Sequence, residues 1–229
     1  MFKKKKFLKL EKKYSSYQGE GTIGHMMNIC HKKLEDNSYL KKLNNNCNVL
    51  EIGAGSEPHL KYIKHNFKQY FFLETSKFAI NFLKKKFKDN KKLKFKVYDG
   101  KKIPYKSNYF DRIVISHVLE HIPEPEVFLR EMMMKLKKNG ILSIALPIDP
   151  GLLWRLGRFF LKLYTVKKEY NISNLEYDYM IASEHVNSIF NLISIIKYNY
   201  KNNIVSEKYS PFNVKILDVN LFYIVTLKK

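Results

Sequence analysis

Arginine is scarce in this chain. Of 42 basic residues only Arg112, Arg130, Arg155 and Arg158 carry a guanidinium, and lysine supplies the rest. The formal net charge of +21 at face value calls for an acidic partner such as nucleic acid or anionic lipid. A selective nucleic-acid reader, however, uses arginine forks on phosphate and guanine, and few are present. Lys, Asn, Ile, Tyr and Phe are all abundant, as codons built from A and T would produce, so the charge reads as compositional drift over a solvated surface. Cysteine is scarcer still: Cys30 and Cys47 cannot make a disulfide framework and show no ligand spacing, which points to a reducing, cytoplasmic setting. No uncharged apolar run reaches the ~18 residues of a membrane span. The basic start, Met1 to Lys13, has no apolar core behind it and does not read as a secretory signal. Internal repeats and low-complexity linkers are also missing. What remains is a chain of 229 residues, 45% apolar and 14% aromatic, enough for one α/β domain with a substantial core.

The nine glycines are few, and two of them stand together in Val49-Leu-Glu-Ile-Gly53-Ala-Gly55-Ser-Glu-Pro58. Val49 to Ile52 has the β-branched, apolar character of a buried strand. Gly53 and Gly55 allow a tight turn and close approach of a ligand to backbone. Ser56 as N-cap and Pro58 in the first turn predict a helix start behind them, with Leu60, Ile63 and Phe67 at helical spacing. The whole predicts strand, glycine turn, helix N-terminus, a cradle for a nucleotide-type ligand. It departs from the dinucleotide fingerprint, because Pro58 occupies the place of the third glycine. Glu51, at the end of the strand, suits a cationic ligand better than a pyrophosphate.

Along the chain, Lys3 to Lys13 reads as a basic arm, residues 14–24 as a glycine-rich loop, and Met26 to Leu34 as a helix with one apolar face. Residues 1–46 are thus an arm and helical cap ahead of a main domain at 47–229. Gln69 to Glu74 predicts a second strand ending in an acid; Ser76 opens a helix with Phe78, Ala79, Phe82, Leu83 and Phe87 on one side. Leu93 to Tyr98 is a third strand ending at Asp99-Gly100, and Phe110 to Ser116 a fourth. A further helix carries Leu129, Met132, Met133 and Leu136 and stops at Asn139-Gly140, before a fifth strand at Ile141 to Leu146. This order predicts a doubly wound α/β fold with a mostly parallel, seven-stranded, Rossmann-like sheet. Beyond a lid-like insert at 148–183, Ser183 to Ile196 reads as one helix, with Val186, Ile189, Phe190, Ile193 and Ile196 inward. Val205 to Tyr209 and Leu221 to Leu227 then follow as an antiparallel hairpin edge with the last strand inserted.

The glycine stretch resembles the first motif of class I S-adenosylmethionine-dependent methyltransferases. Residues 110–147, F-D-R-I-V-I-S-H-V-L-E-H-I-P-E-P-E-V-F-L-R-E-M-M-M-K-L-K-K-N-G-I-L-S-I-A-L-P, are similar to the same family, closest to its small-molecule subgroup that includes quinone methyltransferases. The resemblance covers residues 47–147 and implies S-adenosylmethionine as cofactor. It places Glu51 near the methionine amino group, Gly53 and Gly55 near the cofactor backbone, Glu74 on the ribose hydroxyls and Asp99 on the adenine amino group. Thr75, Gly100, Ser116 and His117 complete the implied set.

His117-Val-Leu-Glu120-His121 also satisfies H-x-x-E-H, a zinc-peptidase motif. Pro123 leaves no room for the helix that would put both histidines on one face, so no metal is expected. His117 and His185 are the candidate bases. Arg155 and Arg158, with Glu184 and His185, are the candidate acceptor contacts, which favours a small-molecule acceptor with an anionic handle. Residues 151–164 also have the character of an interfacial helix and offer a peripheral membrane contact. Two alternatives stay open: a nicotinamide-dependent oxidoreductase on a similar sheet, and a non-enzymatic basic module binding RNA or membrane.

Overall fold

A computed structural model of the chain describes residues 21–163 and 172–229; the basic arm and most of the glycine-rich loop fall outside the described residues. Seven strands form one sheet in the order β3-β2-β1-β4-β5-β7-β6. β1 (Asn48–Ile52), β2 (Gln69–Glu74), β3 (Leu93–Val97), β4 (Phe110–Ser116) and β5 (Leu136–Pro147) run parallel. β6 (Ile204–Ser210) and β7 (Phe222–Lys228) form the expected antiparallel hairpin, and β7 lies between β5 and β6.

Alternate residues of the inner strands feed two separate cores, as the period of a strand requires. Leu50, Ile52, Leu73, Ile113 and Ile115 meet Leu129 and Met132 of α3 (Pro125–Lys135) and Leu192 and Ile196 of α6 (Ile189–Tyr200). Val49, Tyr70, Phe72 and Val114 face the other way. They meet Cys30 and Leu34 of α1 (Gly21–Glu35) and Ile80 and Leu83 of α2 (Lys77–Lys86). α1 is fastened there by charge as well. Glu35 pairs with the fully buried Arg112 guanidinium of β4 and accepts from His59 Nε2 at 2.8 Å. Burial pushes the Glu35 carboxyl up, but the His59 and Arg112 hydrogen bonds and charges outweigh it and hold it at about 2.

Four expectations about local structure need correction. The helix predicted after the glycine turn does not form: only a 3₁₀ turn at His59–Tyr62 follows, and Pro58 enters it extended at φ −68°, ψ 153°. The reason is Glu51, whose Oε1 accepts the His59 N–H at 2.6 Å and turns the chain toward the sheet. Second, Gly21 to Gly24 are helical, as the first turn of α1. Third, α3 stops at Lys135, not at Asn139-Gly140; Asn139 instead takes φ 64° inside β5 and donates its N–H to Lys229 O at 3.0 Å. Fourth, the single helix expected over 183–196 is two. α5 (Asn174–Glu184) ends with His185 as its C-cap, and Ser188 caps α6 by accepting from Asn191 N. Asn187 anchors the break by donating to Ile122 O at 2.6 Å. Val186 and Phe190, expected inward, are exposed. The segment 148–183 holds α4 (Leu152–Leu161) and α5, joined by Lys162 on Asp178 at 3.0 Å; no residue of α4 itself is buried.

Candidate active site

The site begins at the carboxyl ends of β1, β2 and β3, which are adjacent in the sheet. Two glycines shape the first loop for different reasons. Gly53 (φ +72°) has its N–H on Leu73 O at 2.9 Å, and a Cβ there would lie 2.4 Å from Val118 Cγ2. Gly55 (φ +54°) faces open space, with nothing within 4 Å of a Cβ. Glu51 lies beneath this loop, 4% exposed, with Oε2 accepting from Tyr70 OH at 2.6 Å and Oε1 from His59 N. Burial pushes its carboxyl up to about 7. With both oxygens engaged, Glu51 supports the loop from below.

Glu74 ties the first loop to the second: Oε2 accepts the Gly55 N–H at 3.1 Å and Oε1 the Thr75 N–H at 2.7 Å. Thr75 Cγ2 lies 3.4 Å from where a Gly100 Cβ would be, and Gly100 has φ +80°. Asp99, exposed beside it, accepts from Lys101 N at 2.9 Å, and that backbone hydrogen bond holds its carboxyl below the usual range. The implied residues of the first three strands therefore share one rim of the sheet.

The fourth strand brings Ser116 and His117. Ser116 Oγ and His117 Nε2 are both buried without a hydrogen-bond partner, and such orphans carry a desolvation cost. His117 takes φ 56°, a conformation uncommon outside glycine and frequent at functional sites. Its ring meets Phe222 edge-on at 5.1 Å. Burial, then the neighbouring His121 and His185, pushes the imidazole down to about 3.

Around His117 stands a second group that sequence reasoning only partly found. Asp149, just beyond β5, has Oδ2 on both the Arg158 guanidinium and His185 Nδ1, the latter at 2.6 Å. Burial, then the Arg158 cation, pushes His185 down to about 4. Arg158 also lies over the Trp154 ring, 5.9 Å from its centroid. Arg155 is exposed and does not join it. Glu184 contributes its backbone oxygen, which accepts from His121 Nδ1 at 2.8 Å. His185, expected at a helix N-terminus, sits at the C-terminal end of α5 instead, because the chain breaks there. Asp149 was legible in principle, as an acid just past a strand's carboxyl end. Glu120, 2% exposed and pushed up to about 8 by burial, was quoted in the sequence motif but given no role.

With the geometry in place, relatives become informative. A family described as "Methyltransferase domain" matches residues 50–144. Among solved structures, one similar chain is a Methanococcus maripaludis protein described as an S-adenosyl-L-methionine-dependent methyltransferase. It has a TM-score of 0.59 and 16% identity, over 95% of this chain and 91% of that one. The N-methyltransferase NodS of Bradyrhizobium japonicum WM9 has a TM-score of 0.59 and 14% identity, over 89% and 96%. An S-adenosylmethionine-dependent methyltransferase of Mesorhizobium loti has a TM-score of 0.57 and 13% identity, over 86% and 98%. No curated protein sequence matches. Identity this low speaks to fold, while the family match covers the strands and loops that build the rim. Residues 50–144 match a methyltransferase-domain family, and the chain has the fold of the class I S-adenosylmethionine-dependent methyltransferases.

Proposed function

We propose that this protein transfers the methyl group of S-adenosylmethionine to a small-molecule acceptor. The observation that carries the reading is Glu74 at the edge of the open Gly55 loop, beside Thr75 and Gly100. A ligand with a ribose and an adjacent cationic chain fits that rim: Gly55 leaves its outer side clear, Glu74 Oε2 keeps a lone pair beside the Gly55 N–H it accepts, and Asp99 offers an exposed acceptor next door. When bound, the cofactor supplies an electrophilic methyl group on a sulfonium.

The chain's own task is alignment, which holds reacting atoms about 3–3.5 Å apart. Glu51 fixes the loop from beneath. Asp149 orients the His185 ring by accepting from Nδ1, which leaves Nε2 as a lone-pair acceptor, the logic of a carboxylate-oriented base. His117 and His185 both stay neutral at pH 7. Their low basicity suits accepting a hydrogen bond from the acceptor's nucleophile better than storing its proton. An anionic handle on the acceptor would find Arg158 already neutralising Asp149, with Arg155 exposed nearby. The row Leu152, Leu156, Phe159 and Phe160, all exposed on α4, supports an apolar or membrane-held acceptor arriving from that side.

A nicotinamide nucleotide fits less well. Its pyrophosphate rests on a helix N-terminus, and here the glycine loop leads only into a 3₁₀ turn. Titration calorimetry tests the assignment: S-adenosylhomocysteine should bind and NAD should not. Glu74→Ala should weaken S-adenosylhomocysteine by tenfold or more, since each charge-assisted hydrogen bond contributes about 1.5–3 kcal/mol. Heat from NAD alone, or equal affinities in parent and variant, would sink the reading.

A further inference from the structure

We infer that Glu120, His121 and His185 form a binding site for one divalent transition-metal ion of the zinc type. One ligand atom from each residue lies within 4.8 Å of the other two. Bonds of about 2.0–2.2 Å to a tetrahedral ion place ligand atoms roughly 3.3 Å apart. Ion binding therefore requires the ligand atoms to close in by at most about 1.5 Å.

The hydrogen bonds around the histidines set them up as ligands. His121 Nδ1 lies 2.8 Å from Glu184 O. A carbonyl oxygen only accepts, so Nδ1 carries the proton and Nε2 keeps its lone pair. His185 Nδ1 lies 2.6 Å from Asp149 Oδ2, with the same consequence, so an ion on His185 Nε2 leaves His117 to accept from the acceptor's nucleophile. A backbone carbonyl and a carboxylate behind two imidazoles are the outer partners that metal-binding histidines have.

Glu120 supplies the charge when the ion displaces its proton. It is 2% exposed, and its Oε2 has no hydrogen-bond partner. Its Oε1 approaches only to 3.8 Å of His117 Nδ1 and of His121 Nε2, beyond hydrogen-bond range. An unpaired buried carboxylate is costly, and a cation seated among these atoms compensates it. Two imidazoles and one carboxylate suit a borderline ion; calcium and magnesium prefer oxygen-rich sets. Arg158 is the nearby positive charge, and Asp149 lies between its guanidinium and His185.

Leu119–His121 forms only a 3₁₀ turn, so His117 and His121 do not share a helical face. The break after α5 brings in His185 in place of that missing partner.

The test uses the untagged full chain, stripped with chelator and titrated with Co²⁺ by calorimetry and visible absorption, then with Zn²⁺ in competition. One Co²⁺ per chain is expected, with the absorption of a four- or five-coordinate ion that Zn²⁺ abolishes. His121→Ala and His185→Ala, at partly accessible positions, should each weaken Co²⁺ by at least about tenfold, and Asp149→Asn by about 10–100-fold. Circular dichroism establishes that each variant is folded, and His25→Ala, at an exposed histidine of α1, should change nothing. S-adenosylhomocysteine affinity, measured on the same proteins, reports the methyltransferase reading independently. No stoichiometric Co²⁺ or Zn²⁺ binding, or binding that survives the His121→Ala/His185→Ala double change, would overturn the proposal.

Discussion

Gly53 and Gly55 have similar backbone angles, yet alanine at the two positions should do opposite things. Both take positive φ, where an L-residue costs roughly 1–2 kcal/mol. At Gly55 that is the whole stability cost, because no atom lies within 4 Å of the new Cβ. At Gly53 the Cβ would lie 2.4 Å from Val118 Cγ2, and overpacking adds about 1–3 kcal/mol. Gly53→Ala should therefore lose about 2–5 kcal/mol, and Gly55→Ala about 1–2 kcal/mol. The functional order reverses. Gly55→Ala places a methyl group on the open side that Glu74 borders, so S-adenosylhomocysteine affinity should fall at least about tenfold in a protein that remains folded. Urea unfolding at fixed temperature gives the stabilities, and calorimetry the affinities. Adding Val118→Ala should recover part of the Gly53→Ala loss and none of the Gly55→Ala loss. Equal stabilities for the two single variants, or a Val118→Ala change that helps neither, would refute the assignment of a structural glycine and a ligand-facing one.

Glu35 sets an acid limb of stability. Its folded carboxyl sits at about 2, below an unfolded value of about 4.3. Its contribution is therefore present above the unfolded value and lost as pH falls through the folded one. About two units correspond to roughly 3 kcal/mol, and Glu35→Gln should flatten the wild-type stability profile between pH of about 4 and 2; an unchanged profile counts against the buried Arg112 pair. On α4, Phe159 and Phe160 are exposed on a helix that also carries Arg155. Wild-type protein should float with anionic vesicles, and Phe159→Ser with Phe160→Ser should reduce this; flotation unaffected by both changes removes the membrane contact.

Much of the fold could be read from local pattern. Apolar runs of strand length, Ser76 ahead of α2 and two consecutive strands at the end correctly gave the sheet and its inserted last strand, because period and turn residues act over a few positions. The rim residues were legible for the same reason: a carboxylate or glycine directly after each strand must come out at the strand's carboxyl end. Local pattern failed where a side chain of another element took over a backbone group. Nothing near Leu60 reveals that Glu51 captures the His59 N–H and suppresses a helix. Nothing near His185 shows that Asn187 will anchor to Ile122 O and split one apolar helix into two. The same split puts His185 beside Asp149, His121 and Glu120. Which titratable groups share a site is thus decided by hydrogen bonds between segments far apart in the chain. Those bonds depend on the free energy of leaving a polar group unsatisfied, and only the folded arrangement sets which partner is within reach.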